Sequence, residues 1–161
     1  SNYSEHIWST ILKAGAVHGI IPAGLAARDT LRTEMGYSLY GNEIDENTSP
    51  ISAGLSWISK NETKFINSKN INQEKVTGSH QKIIGFIMDA RAIPRSGYKI
   101  VNIHGDQIGV VTSGTQSPTL SIGIGLGYIS KSYSKVGTKI GILIREKNCP
   151  AHVVKLPFIK T

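Results

Sequence analysis

Arg28 and Arg32 lie one helical turn apart in the run Gly24-Leu-Ala-Ala-Arg28-Asp29-Thr-Leu-Arg32-Thr-Glu34-Met35-Gly36. Read as a helix at about 100° per residue, this run gathers Leu25, Arg28, Leu31, Arg32 and Met35 on roughly a third of the circumference. Ala26, Asp29, Thr30, Thr33 and Glu34 point elsewhere. A guanidinium beside leucine and methionine is costly to bury unless an anion or a strong acceptor meets it. Two kinds of chemistry follow. The helix either closes an ion pair within the protein, or it presents Arg28 to a ligand through directional, charge-assisted hydrogen bonds. An arginine that merely snorkels to the surface is the plainest alternative.

The other chemistry-bearing residues are dispersed. His6, His18, His80, His104 and His152 are far apart and have no metal-ligand spacing. Cys149 is the single cysteine, so no internal disulfide forms, and a reducing compartment suits it. It sits in Asn148-Cys149-Pro150, which reads as a turn or strand edge. Ser113 lies in a glycine turn without the G-x-S-x-G elbow. Asp45 and Glu46 could do acid–base work, but they read as a solvated loop. Gly123, Gly125 and Gly127 alternate with apolar residues. They lack the G-x-G-x-x-G spacing of a nucleotide loop and mark close approach of another backbone or a barrel corner. No complete catalytic constellation is present.

The elements that must position these residues change type along the chain. Residues 7–17 read as a helix with Ser4 as N-cap, closed by Gly19 and Pro22. The arginine helix follows over 25–35, with Gly36 in the left-handed capping position. Residues 42–50 read as a polar loop and 52–58 as a short helical patch containing Trp57. Residues 60–81, rich in Asn, Lys and Ser, read as an exposed helix and linker, with a domain boundary near Gly78. Short β-branched strands punctuated by Gly97, Gly105, Gly114 and Gly137 follow, and they predict a barrel or sandwich.

The chain has 161 residues and a formal net charge of +7. The length suits one domain, or one small domain with part of another. The basic residues form no run of four. That argues against a nucleic-acid arm, although a diffuse positive field favours acidic partners or polyanionic ligands. No apolar run is long enough to span a membrane.

Three segments together resemble the folate-binding core of aminomethyltransferase, the glycine cleavage T-protein. They are Gly24-Leu-Ala-Ala-Arg-Asp-Thr-Leu-Arg32, Leu39-Tyr40-Gly41-Asn-Glu43 and Pro50-Ile-Ser-Ala-Gly54-Leu-Ser-Trp57. Downstream, Gly109-Val-Val-Thr-Ser-Gly114, Ser117-Pro118-Thr-Leu120, Gly127-Tyr128 and Val153-Val-Lys-Leu-Pro157-Phe158 are similar to its C-terminal barrel. The family's chain is much longer, so the resemblance is to its C-terminal half. It implies an α+β fold: the remnant of an α+β folate-binding domain over 1–77, followed by an antiparallel β-barrel over 78–161.

The implied activity takes an aminomethyl group from the lipoyl arm of H-protein and passes the one-carbon unit to tetrahydrofolate, with release of ammonia. The family's catalytic aspartate has no counterpart in these residues, and its folate-contacting glutamate lies upstream of Ser1. The chain is therefore expected to be inactive alone. Arg28 matches the family's folate-contacting arginine, with Arg32 carried over beside it. Tyr40 and Trp57 match aromatics that would line the pterin or aminobenzoyl path. Arg95 matches a barrel arginine and is expected to tie a loop to a carboxylate or carbonyl. Lipoylated H-protein and folate are the implied partners, with no nucleic acid and no membrane. The implied location is the bacterial cytoplasm, or the mitochondrion in a eukaryote. The folate-binding portions of dimethylglycine dehydrogenase and sarcosine oxidase resemble the same pattern. A non-enzymatic module docking an acidic partner or RNA is the third possibility.

Overall fold

The strand patterns downstream of Gly78 close into a six-stranded antiparallel barrel. A computed structural model describes residues 2–60 and 62–159. The strands are β1 (Gln81–Met88), β2 (Lys99–Val101), β3 (Gln107–Gln116), β4 (Gly123–Ser130), β5 (Lys139–Ile144) and β6 (Lys147–Val154). They close in the order β1-β4-β3-β2-β5-β6. Three helices precede them: α1 (Ser4–Gly15), α2 (Leu25–Glu34) and α3 (Ser68–Thr77). Among the described residues, no helix is long and apolar enough to cross a membrane.

The barrel interior is filled from alternate strand positions, as the period of two requires. Ile84, Phe86, Ile100, Val111, Ile129, Ile142 and Val153 form its centre. Cys149 belongs to this core. The expected turn or strand edge at 148–150 is instead the regular antiparallel pairing of β6 with β5, through Ile142↔Cys149 and Gly141↔Pro150. Cys149 behaves as a small buried hydrophobe.

The glycines of β4 make the close approach that their spacing predicts. A Cβ on Gly125 would strike the fully buried Phe86 ring and lie 2.9 Å from the Ser113 carbonyl oxygen. One on Gly127 would lie 2.7 Å from both Ile100 Cδ1 and the Val110 carbonyl oxygen. The bare face of β4 thus looks into the barrel. Its apolar face, Ile124 and Leu126, is completely buried yet stands apart from the interior cluster. Tyr128, on the same face, donates its hydroxyl proton to the Glu43 carbonyl oxygen at 2.8 Å, so the N-terminal segment covers this outer surface.

Both N-terminal helices close with paired backbone bonds around a left-handed glycine. At the end of α2, Gly36 (φ 68°) sends its N–H to Thr33 O and Tyr37 sends its N–H to Arg32 O. Ala16–His18 forms a 3-10 turn after α1, where Gly19 and Ile20 repeat the arrangement on Ala16 O and Gly15 O. Ser4 opens α1 rather than capping it, because Tyr3 holds the N-cap position. The helical patch expected over 52–58 is a run of turns instead. Leu55 bonds back to Pro50, Ile58 bonds back to Leu55, and Gly54 takes φ 71°, which interrupts any helical ladder. The Ser52 carbonyl oxygen accepts from the Ile83 N–H, pinning these turns to β1.

Candidate functional site

The polar side of α2 faces the barrel. Arg32 has only 9% of its surface exposed, and Glu34 and Glu43 have none. The stripe of Leu25 and Leu31 faces away, 79% and 60% exposed. Ser113 and Thr115 of β3, with Ser117 just beyond its end, receive three levels of the helix. Ser113 meets Arg32, Thr115 Oγ1 lies 3.3 Å from Thr30 Oγ1, and Ser117 donates to Glu34. Thr119 adds its N–H and hydroxyl to Glu34, at 3.3 and 3.1 Å. Glu34 is therefore held by neutral donors.

Arg32 uses every N–H of its guanidinium. Nε and Nη2 donate to Asp29 Oδ1 at 2.7 and 2.5 Å, and Nη2 also donates to Ser113 Oγ at 2.8 Å. Nη1 donates to Glu43 Oε2 at 2.7 Å and to the Tyr37 carbonyl oxygen at 3.3 Å. Glu43 is equally saturated. Besides Arg32 it accepts from the Leu39 N–H at 3.0 Å, the Thr112 hydroxyl at 2.6 Å and the Ser113 hydroxyl at 2.5 Å. Consecutive residues of a regular strand point to opposite faces. Here the pairing of β3 with β4 shifts between Val111 and Ser113. That bulge turns the neighbouring hydroxyls of Thr112 and Ser113 toward one carboxylate. Asn42 completes the set by donating to Ser113 Oγ at 3.1 Å.

Arg28 has a different environment. It is exposed, and among the described residues its guanidinium makes no hydrogen bond or ion pair. A recess of about 380 Å³ beside it is lined by Leu25, Ala26, Asp29, Leu39 and Asn42. A second, of about 360 Å³, lies on its other side against Ala27, Leu31, Met35 and Tyr37. The helix that locks Arg32 inward therefore projects Arg28 as an available cation between two largely apolar hollows.

Tyr40 and Trp57 protrude from the turn segments, 69% and 71% exposed. Leu39 and Asn42, which flank Tyr40 in the chain, line the recess at Arg28, but Tyr40 and Trp57 do not. Arg95 departs from expectation. Its side chain is exposed and meets no carboxylate or carbonyl among the described residues, and only its carbonyl oxygen is engaged, by the Tyr98 N–H at 3.2 Å. His152 is paired, its Nδ1 2.7 Å from Asp89 Oδ1. Burial pushes the Tyr128 phenol up to about 12. The Thr48 hydroxyl and the Asn47 N–H hold the Asp45 carboxyl below its ordinary value.

The anchoring residues Glu43, Thr112 and Ser113 were not among the expected site residues. They lie within the quoted motifs, but their convergence depends on the bulge in β3, which leaves no pattern in the sequence.

The family model of the glycine cleavage T-protein C-terminal barrel domain matches residues 81–160, and that of the GCVT N-terminal domain matches residues 1–63. The aminomethyltransferase of Flavobacterium psychrophilum is 53% identical over 157 residues, spanning 98% of this chain and 44% of that protein. That of Halothermothrix orenii is 51% identical over 154 residues, spanning 95% and 43%. The crystal structure of glycine cleavage system aminomethyltransferase T from Bartonella henselae superposes with a TM-score of 0.86 at 30% identity, covering 98% of this chain and 44% of that one. The chain thus spans less than half the length of these relatives, and it belongs to the aminomethyltransferase family, the glycine cleavage T-proteins, as a portion that ends in their C-terminal barrel.

Proposed function

We propose that this chain is the folate-holding portion of an aminomethyltransferase. The whole activity takes an aminomethyl group from the lipoyl arm of H-protein, delivers the one-carbon unit to tetrahydrofolate and releases ammonia. The observation that carries this reading is the division between the two arginines. Arg32 is saturated by protein acceptors, while Arg28, one turn away, has none among the described residues.

The residues fit a folate. A pteridine and an aminobenzoyl ring are flat and apolar on their faces, and the glutamate tail and pterin edge offer acceptors. A rigidly mounted guanidinium between two apolar recesses suits both features. Arg28 would bind and orient. Arg32, Glu43 and Ser113 would hold its helix in place, and Tyr40 and Trp57 would flank the path of the rings. Asp29, the carboxylate that lines the recess beside Arg28, is paired with Arg32 through Oδ1. The chain alone is therefore expected to hold folate weakly and to transfer nothing. The activity belongs to a reducing compartment, the cytoplasm of a bacterium or the mitochondrion of a eukaryote.

The test is a titration of the ¹⁵N-labelled chain with tetrahydrofolate, followed by amide shifts. The expected outcome is weak binding, on the order of 1 mM, which corresponds to about 4 kcal/mol. The shifts should centre on Leu25, Arg28, Leu39 and Asn42 and should vanish in Arg28→Met. Shifts confined to the barrel, or binding indifferent to that substitution, would refute the proposal.

A further inference from the structure

We infer that Asn42 is a specificity-determining residue of the recess at Arg28. Its side-chain carbonyl oxygen accepts a hydrogen bond from a ligand N–H that stands beside a carbonyl, the edge of a planar amide. The inference rests on the folate reading and adds to it the donor group that the recess selects.

The orientation of Asn42 follows from counting protons. A serine hydroxyl has one proton to donate and two lone pairs with which to accept. Ser113 gives its proton to Glu43 Oε1 at 2.5 Å and accepts from Arg32 Nη2 at 2.8 Å and from Asn42 Nδ2 at 3.1 Å. All three positions are filled, so only the NH2 of the Asn42 amide can face Ser113. Turned over, its Oδ1 would meet an oxygen with no proton left. Drawing that proton back would take a donor from the wholly buried Glu43. The Asn42 Oδ1 therefore points away from Ser113, and among the described residues it accepts no hydrogen bond.

The backbone holds that oxygen in place. Gly41 takes φ 90° and sends its N–H to Ile44 O at 2.8 Å. The N–H groups of Asn42 and Glu43 both reach Leu39 O at 3.1 Å, and the Leu39 N–H returns to Glu43 Oε2 at 3.0 Å. A loop tied in this way presents a pre-organised acceptor, which loses little freedom when a ligand arrives.

The recess carries the complementary groups. Arg28 and Asn42 both line its 380 Å³, with Leu25, Ala26 and Leu39 as apolar walls. Asp29 lines it too, its Oδ1 held by Arg32. A guanidinium only donates, so Arg28 suits a carbonyl or carboxylate oxygen. Asn42 Oδ1 supplies an acceptor beside it. Apolar walls with a donor next to an acceptor select a flat group whose edge carries C=O and N–H together. A folate has two such edges: the lactam of its pterin ring, and the amide between the aminobenzoyl ring and the glutamate.

The experiment titrates the ¹⁵N-labelled chain with tetrahydrofolate, 6-methyltetrahydropterin and p-aminobenzoylglutamate in turn, and repeats each series on Asn42→Leu and Asn42→Gln. Loss of one neutral hydrogen bond predicts that the initial slope of shift against tetrahydrofolate concentration falls about 10-fold in Asn42→Leu. Asn42→Gln, which keeps an amide, should recover part of it. One fragment should reproduce the Leu39 shift and share its loss, and its identity separates the pterin lactam from the benzoyl amide. Hydrogen exchange on the same samples reads the structure. The protection of the α2 amides should stay within about threefold in Asn42→Leu, because Ser113 keeps Arg32 and Glu43. Tetrahydrofolate shifts that survive Asn42→Leu yet vanish in Arg28→Met overturn this inference and leave the folate reading standing. Neither fragment reproducing the shift also overturns it. So does a loss of binding joined to a collapse of α2 protection, since Asn42 would then act only through Ser113. No tetrahydrofolate shifts in the unaltered chain would remove both readings.

Discussion

Replacing Arg32 by methionine tests whether the link between α2 and β3 is a buried ionic lock or an ordinary surface contact. The substitution keeps the length and apolar stem of the side chain but deletes its five donor contacts, to Asp29, Tyr37, Glu43 and Ser113. Asp29 is 48% exposed and turns to water at little cost. Glu43 cannot, because none of its surface is exposed. Leaving a buried charge without its counter-ion costs about 3–5 kcal/mol. Glu43 retains three donors, from Leu39, Thr112 and Ser113, which places the expectation at the low end, about 3 kcal/mol.

That cost falls on the docking of α2 rather than on the barrel, whose core contains no residue of the network. Native-state hydrogen exchange resolves the two. The amides of α2 should lose about 100-fold of protection, the equivalent of about 3 kcal/mol, while those of β5 and β6 stay unchanged. The double variant Arg32→Met, Glu43→Met removes both charges. It leaves the Leu39 N–H and two hydroxyls without their acceptor, at about 1 kcal/mol each where water cannot replace it. Its cost should therefore be well below the sum of the single substitutions. A loss of less than about fivefold in Arg32→Met would place the interaction with exposed ion pairs and refute the lock.

Other expectations are equally specific. Gly125→Ala should destabilise the barrel by about 2–3 kcal/mol in urea unfolding, because its methyl meets both the buried Phe86 ring and the Ser113 backbone; Phe86→Leu in the same chain should recover part of the loss. In a spectrophotometric alkaline titration, one of the six tyrosines should ionise late, near 12, and the late phase should vanish in Tyr128→Phe. Because burial raises this phenol above its ordinary value of 10, its contribution to stability is complete below pH 10 and is lost as the pH rises toward 12. Arg28→Met should leave the melting temperature unchanged, since Arg28 makes no hydrogen bond or ion pair among the described residues; a large drop would place Arg28 among the structural anchors.

The barrel was legible wherever side-chain alternation and turn residues coincide. The strands around Phe86, Ile100, Ile142 and Val153 carry that period, and Gly105 and Gly137 mark turns with positive φ. The close approach at Gly125 and Gly127 followed from the missing side chains alone. Cys149 was misread because Pro150 suggests a break. A proline is tolerated where its nitrogen owes the ladder no hydrogen bond, and β6 carries it in regular register. The patch around Trp57 was misread as helical because its apolar spacing is compatible with either a helix or successive turns. Gly54 at φ 71° and the bond from the Ser52 hydroxyl to Ser49 O decide for turns.

The arginine helix shows why periodicity could not separate Arg28 from Arg32. A helical wheel gives angles within one helix but not which side meets the rest of the protein. The usual rule turns the apolar stripe inward, and here it would bury Leu25 and Leu31. The barrel imposes the opposite choice, because the outward face of β3 and the residue that follows it offer the hydroxyls of Ser113, Thr115 and Ser117 at a spacing that meets Arg32, Thr30 and Glu34. Once the polar side is committed, the position of each arginine is fixed. Arg32, on the edge of the stripe nearest Asp29, turns inward, and Arg28, at the centre of the stripe, turns outward. The same rotation uncovers Leu25 and Leu31. The availability of Arg28 for a ligand and the unpartnered apolar side of α2 are therefore two consequences of one docking choice. A variant that freed α2 from β3 should disturb both together, and one that altered Arg28 alone should leave the seating of α2 on β3 intact.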